Sequence, residues 1–187
     1  MLHTSPQTLG ADLRALRKTR GLTLIDMAET LGRSVGWLSQ VERDLSEPSI
    51  SDLRHIANAL DVPMTMLASH HATVVGEEGF VVRAGTRRPI GSRMSGLVEE
   101  LLSPDLTDDF EVVHSTFEPN SASTEYVTRP TQEVGYLMSG QLDLQIGSKS
   151  FNIGPGDSFR IRGEPFRWAN PYPHPAIAIW VIAPPVY

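Results

Sequence analysis

The chain has 187 residues, 40% of them hydrophobic, with a formal net charge of −6 and no cysteine. That length admits one large domain or two small ones, and the missing cysteine excludes a disulfide framework, a thiolate zinc site and a thiol nucleophile. No apolar run approaches the ~18 residues of a spanning helix and the first residues lack the basic-then-apolar pattern of a secretion signal, so a cytoplasmic protein that does not engage a membrane is expected.

Residues 1–8 carry no periodicity and read as a flexible N-terminus. Thr8 or Gly10 opens a first helix with Leu9, Leu13 and Leu16 inward, made basic by Arg14, Arg17, Lys18 and Arg20, and Gly21 ends it. Leu24, Met27, Ala28 and Leu31 share one face of a second helix, capped by Thr23 with Asp26. Gly32 supplies a tight turn. Val35, Leu38 and Val41 share one face of a third helix whose N-cap is Ser34. Ser49 with Asp52 caps a fourth through Leu53, Ile56, Ala57 and Leu60, and Pro63 suits the first turn of a fifth reaching Leu67. These five helices make a domain over residues 9–68, and the short polar stretch 69–79 is a linker.

From Phe80 the hydrophobic period changes from 3.6 to 2. Strands are expected at Phe80–Arg83, Leu97–Leu102, Glu111–Phe117, Glu133–Met138, Gln141–Ile146, Ser150–Ile153, Asp157–Ile161, Phe166–Ala169 and Ala176–Ile182. Turn residues such as Ser139-Gly140, Gly147-Ser148 and Gly154-Pro155-Gly156-Asp157 separate them. Many short strands with frequent turns indicate an all-β barrel or jelly roll over residues 80–187. The fold class is therefore multidomain, α followed by all-β.

Two short helices joined by a glycine turn form a helix-turn-helix, whose second helix enters the major groove. The segment from Leu9 to Leu67 resembles the helix-turn-helix of the Xre (lambda repressor-like) family. The matching pieces are the LRALRKTRGLT run, Ala28, Gly32, the LSQVER run, Glu47-Pro48-Ser49 and the IANAL run. The resemblance implies double-stranded operator DNA as partner, bound by a two-fold homodimer. It places Val35, Gly36, Trp37 and Gln40 at the base edges. Gln40 can pair bidentately with adenine, Val35 can meet a thymine methyl, and Trp37 either reads or packs. Arg33, Ser34, Ser39 and Arg43 fall where phosphate contacts are expected, with Arg14 as a further candidate. Arg17 and Glu42 match a structural ion pair tying the first helix to the recognition helix. The chain departs from the family at Leu24, where Gln is frequent, and at Arg33, where an apolar residue is frequent. Residues 1–70 carry seven Lys or Arg and eight Asp or Glu, the remainder nine and fourteen. The acidic part is thus the second domain, which DNA would repel.

Residues from about Glu118 to Asn170 resemble the cupin fold, through Glu133 with the YLMSG hairpin, the IGPGD turn and the Pro165–Asn170 run. A metal-binding cupin carries His-x-His, a nearby Glu and a later His. Aligned on Glu133, the histidine positions hold Val127, Arg129 and Phe166. No metal and no cofactor are expected, and His114, His174 and the linker pair His70-His71 lack ligand spacing. The altered interior offers Arg129, Glu133, Phe166 and Trp168 as a pocket for a small-molecule effector. The alternative is a filled barrel in which Arg129 and Glu133 satisfy each other. If Arg160 and Arg162 face inward the effector is an anion; a cationic amine held by Glu133 and the aromatics is the rival. The combined reading is a transcription regulator, a repressor rather than an enzyme, with a sensing and dimerising second domain. A metal-dependent cupin enzyme with a DNA anchor and an antitoxin-type autorepressor are the rivals.

Overall fold

The computed structural model describes residues 8–68, 76–77, 79–91, 94–104 and 106–186. The expected flexible N-terminus up to residue 7 and most of the expected linker, His70-His71 included, lie outside the described residues. The chain separates into two units, one reaching to Arg88 with Pro104–Thr107, the other formed by Pro89–Ser103 and Asp108–Val186.

The first unit is helical: α1 (Leu9–Thr19), α2 (Leu24–Leu31), α3 (Val35–Val41), α4 (Ile50–Leu60) and α5 (Met64–Ala68). Each of the first four starts on a hydroxyl that accepts a backbone N–H, from Thr8, Thr23, Ser34 and Ser49 in turn. Thr23–Asp26 and Ser49–Asp52 are reciprocal capping boxes, which satisfy two orphan donors at each helix start. Gly32 ends α2 at φ 61°, the left-handed conformation that lets α3 follow within three residues. Leu13, Leu16, Met27, Ala28, Leu38, Val41, Ile56, Leu60 and Met66 are buried and form the core. Val35, placed with them by its spacing, is instead 41% exposed, because it starts its helix before the inward stripe begins.

The second unit is built from two antiparallel sheets. The strands are β1 (Arg88–Pro89), β2 (Leu97–Leu101), β3 (Glu111–Phe117), β4 (Ser121–Ala122), β5 (Gln132–Ser139), β6 (Leu142–Ile146), β7 (Lys149–Ile153), β8 (Ser158–Arg162), β9 (Phe166–Asn170) and β10 (Ala176–Ala183). One sheet runs β1-β2-β3-β10-β5-β8 and the other β4-β9-β6-β7. Phe117 of β3 meets Trp168 of β9 edge-on at 4.8 Å between centroids, and Phe166 lies 6.0 Å from Trp180, so aromatics from both sheets fill the space between them. Asn170, fully buried, donates to the Phe117 and His174 carbonyls at 2.9 Å each and pins the end of β9.

Two expectations need correction. The strands do not close into one continuous barrel; two sheets face each other, as in a jelly roll. The edge strands β1 and β4 are two residues long, too short to carry a ladder from one sheet to the other. Nor is Phe80–Arg83 a strand. The Phe80 and Val81 amides both donate to the Glu77 carbonyl at 3.0 Å, and Arg83 pairs with the Glu77 carboxylate, so the segment turns into a short 3₁₀ helix at Ala84–Thr86.

Candidate functional site

The recognition helix α3 is held from its buried side and open on the other. Leu38 and Val41 are buried, while Val35, Gly36 and Gln40 are exposed and Trp37 and Ser39 are half-buried. Ser34 Oγ is committed to the cap, accepting the Trp37 amide at 3.1 Å.

Three anchors fix the helix. Arg17 of α1 donates through Nε to Glu42 Oε1 at 2.5 Å and through Nη2 to Oε2 at 2.9 Å, while Nη1 reaches the Leu22 carbonyl at 2.7 Å. Both side chains are nearly buried, and the hydrogen bond to Glu42 raises the Arg17 pKa above its ordinary value. The second anchor was not visible in the sequence. Asp44 accepts from the Thr8 hydroxyl at 2.6 Å and from the Gly10 amide at 2.9 Å, bonding the end of the recognition-helix segment to the start of α1. A Cβ on Gly10 would lie 2.5 Å from the Val41 carbonyl oxygen, so only glycine lets the backbones approach this closely. Asp44 itself sits at φ 57°, a conformation aspartate tolerates better than most residues. Its position just past a helix end was the one available signal.

The third anchor changes the view of Arg33. Its Nη2 and Nε donate to Asp52 Oδ1 at 2.7 and 3.1 Å, and its guanidinium lies 5.2 Å from the Trp37 ring centroid. Arg33 therefore ties the turn to the cap of α4 and covers Trp37. The Ser49 hydroxyl bond, and after it the Arg33 bond, hold the Asp52 carboxyl below its ordinary pKa. Arg43 is exposed and donates to the Ser39 carbonyl at 3.0 Å, and Arg14 is exposed on α1.

In the second unit, the alternation along β5 buries Glu133, Gly135 and Leu137 and exposes Val134, Tyr136 and Met138. Glu133 is 1% exposed. Its Oε1 accepts the Thr131 hydroxyl at 2.6 Å and lies 3.9 Å from Arg129 Nη1, while Oε2 has no partner among the described residues. Phe166 and Trp168 are buried beside it, and the indole Nε1 atoms of Trp168 and Trp180 have no partner among the described residues. The space these side chains enclose is a cavity of about 20 Å³, roughly the room of one water. The gap over Gly135 is taken by the Phe159 ring, 2.1 Å from where a Cβ would sit, and that ring packs edge-on against Trp180 at 4.8 Å. Arg160 and Arg162 point outward, so neither faces this interior.

A metal fits these residues poorly. Val127 and Phe166 have no donor atom, Arg129 brings a cation, and Glu133 is left as a lone oxygen ligand where a bound ion needs several. A larger, open concavity of about 520 Å³ lies on the outer face of the four-stranded sheet. There Asp143 accepts from Asn152 and Tyr172 at 2.7 and 2.9 Å, and Arg167 donates to Gln145 at 2.8 Å.

Comparison with known proteins follows this division. A helix-turn-helix domain model matches residues 8–69, and a cupin domain model matches residues 113–182. The immunity repressor protein of Bacillus phage phi105 is 29% identical over 133 residues, 68% of this chain and 89% of that protein. The HTH-type transcriptional regulator PuuR of Escherichia coli is 23% identical over 165 residues, 86% of each chain. The transcriptional regulator ClgR of Mycobacterium tuberculosis is 34% identical over 99 residues, 52% of this chain and 88% of that protein.

Proposed function

We infer from the family to which this chain belongs, the Xre-like helix-turn-helix transcriptional regulators with a cupin domain, that two copies grip an operator through α3 while the cupin units join the copies and sense a small molecule. Val35 and Gln40 read base edges, with Gly36 giving the duplex close access. Ser39, Arg43 and Arg14 contact phosphates, and Arg33 and Trp37 brace the turn and offer the duplex the exposed edge of their stack. The observation that carries this is the state of α3. Its Leu38–Val41 side is buried and clamped by Arg17–Glu42, and its Val35–Gln40 side is left open. A helix fixed in orientation and bare on one face is what major-groove readout requires. Regulation is by repression, and no catalytic step is assigned to the cupin unit, whose interior does not suit a metal.

The effector site is the interior around Arg129, Glu133, Phe166 and Trp168. It is closed down to about 20 Å³, so a metabolite enters by displacing side chains rather than by filling a standing void. Its support is the set of buried polar atoms left without partners, Glu133 Oε2 and the Nε1 atoms of Trp168 and Trp180. Selection of bound sequences from a random duplex pool tests the DNA half. The wild type should enrich an inverted repeat with half-sites one helical turn apart or a multiple of it. Gln40→Ala should lose the preference at one base pair per half-site while still binding unselected duplex; unchanged preference would refute the Gln40 role.

A further inference from the structure

The six-stranded sheet turns an apolar face outward. Val98, Val134, Tyr136, Met138 and Val181 are each between 43% and 53% exposed. The ladder register makes Val134, Tyr136 and Val181 neighbours of one another and of Ile179 and Val112, while Val98 lies on β2, across Thr116 from Ile177. Tyr136 lies opposite Ile179, Val134 opposite Val181, and Val181 opposite Val112. Soluble single chains rarely leave so continuous an apolar patch bare. The outer face of the other sheet is different, with Asp143, Asn152, Arg167 and Gln145 bonded among themselves.

We propose that the outer face of the six-stranded sheet seats the same face of a second copy of this chain. The proposal rests on the reading that paired copies bind the operator, and names the surface that pairs them. Size supports it. Five strands, β2 to β8, at ~4.8 Å spacing and about seven residues at ~3.4 Å each give a face of about 550 Å² before side-chain relief, of the order of the ~800 Å² each partner gives a stable interface. Aromatic Tyr136 stands on β5, one strand from the central β10, and interface energy concentrates toward such a centre.

Charge selects the symmetry. The flanking strand β2 presents Glu100 outward, its carboxylate 3.7 Å from His114 Nδ1 of the same chain, and the opposite flank β8 presents Arg160 and Arg162. A two-fold axis parallel to the strands, between the stacked sheets, reverses the strand order of the partner. The β2 flank of each copy then lies over the β8 flank of the other. Glu100 shares its row with His114, Ile179, Tyr136 and Ser158, and Arg160 lies two residues along from Ser158. That offset is about 7 Å, within reach of an arginine side chain. The interface is thus apolar at its centre with opposite charges meeting at both rims. A two-fold axis across the strands would instead set Glu100 over Glu100.

Sedimentation of the full-length chain tests this. The wild type should run as a dimer. The double variant Val134→Lys with Val181→Lys should weaken association at least about 30-fold and run as a monomer with its melting curve kept. Asn152→Lys on the other sheet should remain dimeric. Arg160→Glu and Glu100→Arg should each weaken the dimer and together restore it. This charge swap decides the matter should the lysine variant fail to fold. A folded lysine variant that remains dimeric, or a swap without restoration, overturns the face and leaves the paired reading standing. A wild type that is monomeric while it binds duplex overturns the paired reading itself.

Discussion

The Arg17–Glu42 pair allows the structural role of a charged pair to be separated from a role in binding. Glu42→Ala leaves the Arg17 guanidinium, only 8% exposed in its side chain, without a counter-charge. Breaking a buried pair from one side costs about 3–5 kcal/mol. A unit of some 60 residues at ~0.05–0.15 kcal/mol per residue holds about 3–9 kcal/mol in all, so the variant loses from a third to the whole of it. At ~4–8 °C per kcal/mol for a domain of this size, the helical transition should fall by at least about 12 °C. Arg17→Met combined with Glu42→Leu removes both charges and should recover most of the loss, since apolar replacement of a buried pair is often neutral. The assay is thermal melting followed at 222 nm, where helices dominate, with duplex binding measured below the transition. The double variant should bind DNA close to wild type, because neither group is needed at a phosphate. A Glu42→Ala melt within about 3 °C of wild type, or a double variant as unstable as the single one, would refute this reasoning.

Other outcomes follow from the same geometry. Arg43→Ala should weaken binding to every duplex alike and reduce the slope of log affinity against log salt by about one, as loss of one phosphate contact does, whereas Gln40→Ala should leave the slope unchanged; competition titrations at several salt concentrations separate the two. Gly10→Ala should destabilise the helical unit by about 1–3 kcal/mol, because the new methyl meets the Val41 carbonyl 2.5 Å away, and the shift should be visible in a denaturant midpoint. The Asp52 carboxyl is held low first by Ser49 and then by Arg33. A folded pKa below the unfolded one favours the ionised form. Its contribution is therefore whole above the ordinary aspartate value of about 3.9 and is lost as pH falls through the lower folded value. The wild-type melting temperature should thus drop more steeply below about pH 4 than that of Asp52→Asn, with the two curves converging in acid.

The helical unit was legible in the sequence because its determinants are local. Capping boxes at Thr23–Asp26 and Ser49–Asp52, Gly32 between two apolar stripes and Pro63 before α5 act over three or four residues, and the helices start and stop where those signals fall. The partners of Arg33 and Asp44 were not legible. Asp52 lies 19 residues from Arg33, and Gly10 lies 34 residues before Asp44, with no periodicity linking either pair. In the second unit the period-2 alternation along β5 and β10 gave the strands and their inward faces. It could not distinguish a closed barrel from two facing sheets, because closure depends on how far the edge strands extend. The Phe80–Arg83 misreading has a similar origin: apolar alternation over four residues is too short to compete with a turn set by Glu77.

Val127, Arg129 and Phe166, standing where a metal-binding cupin would carry histidines, bear on what the proposed effector site could take. A bound metal would supply a fixed charge there and fix the donors around it. In its place stand a buried carboxylate oxygen and two indole N–H groups that have no partner among the described residues. Each buried, unsatisfied polar atom costs about 1–3 kcal/mol. A molecule that donates to Glu133 Oε2 and accepts from the Trp168 and Trp180 N–H groups recovers part of that cost on entry. A hydroxyl does both at once; an ammonium can only donate. A ligand shifts an equilibrium only by its difference in affinity for the two states. On the proposed sensing role that difference would come from groups the closed interior leaves unpaired, so hydroxylated metabolites should move the melting temperature of the second unit more than alkyl amines of the same size. In Glu133→Gln the amide oxygen can still accept, so the response should shrink, and Glu133→Leu should cut it further, to the part owed to the two indole N–H groups.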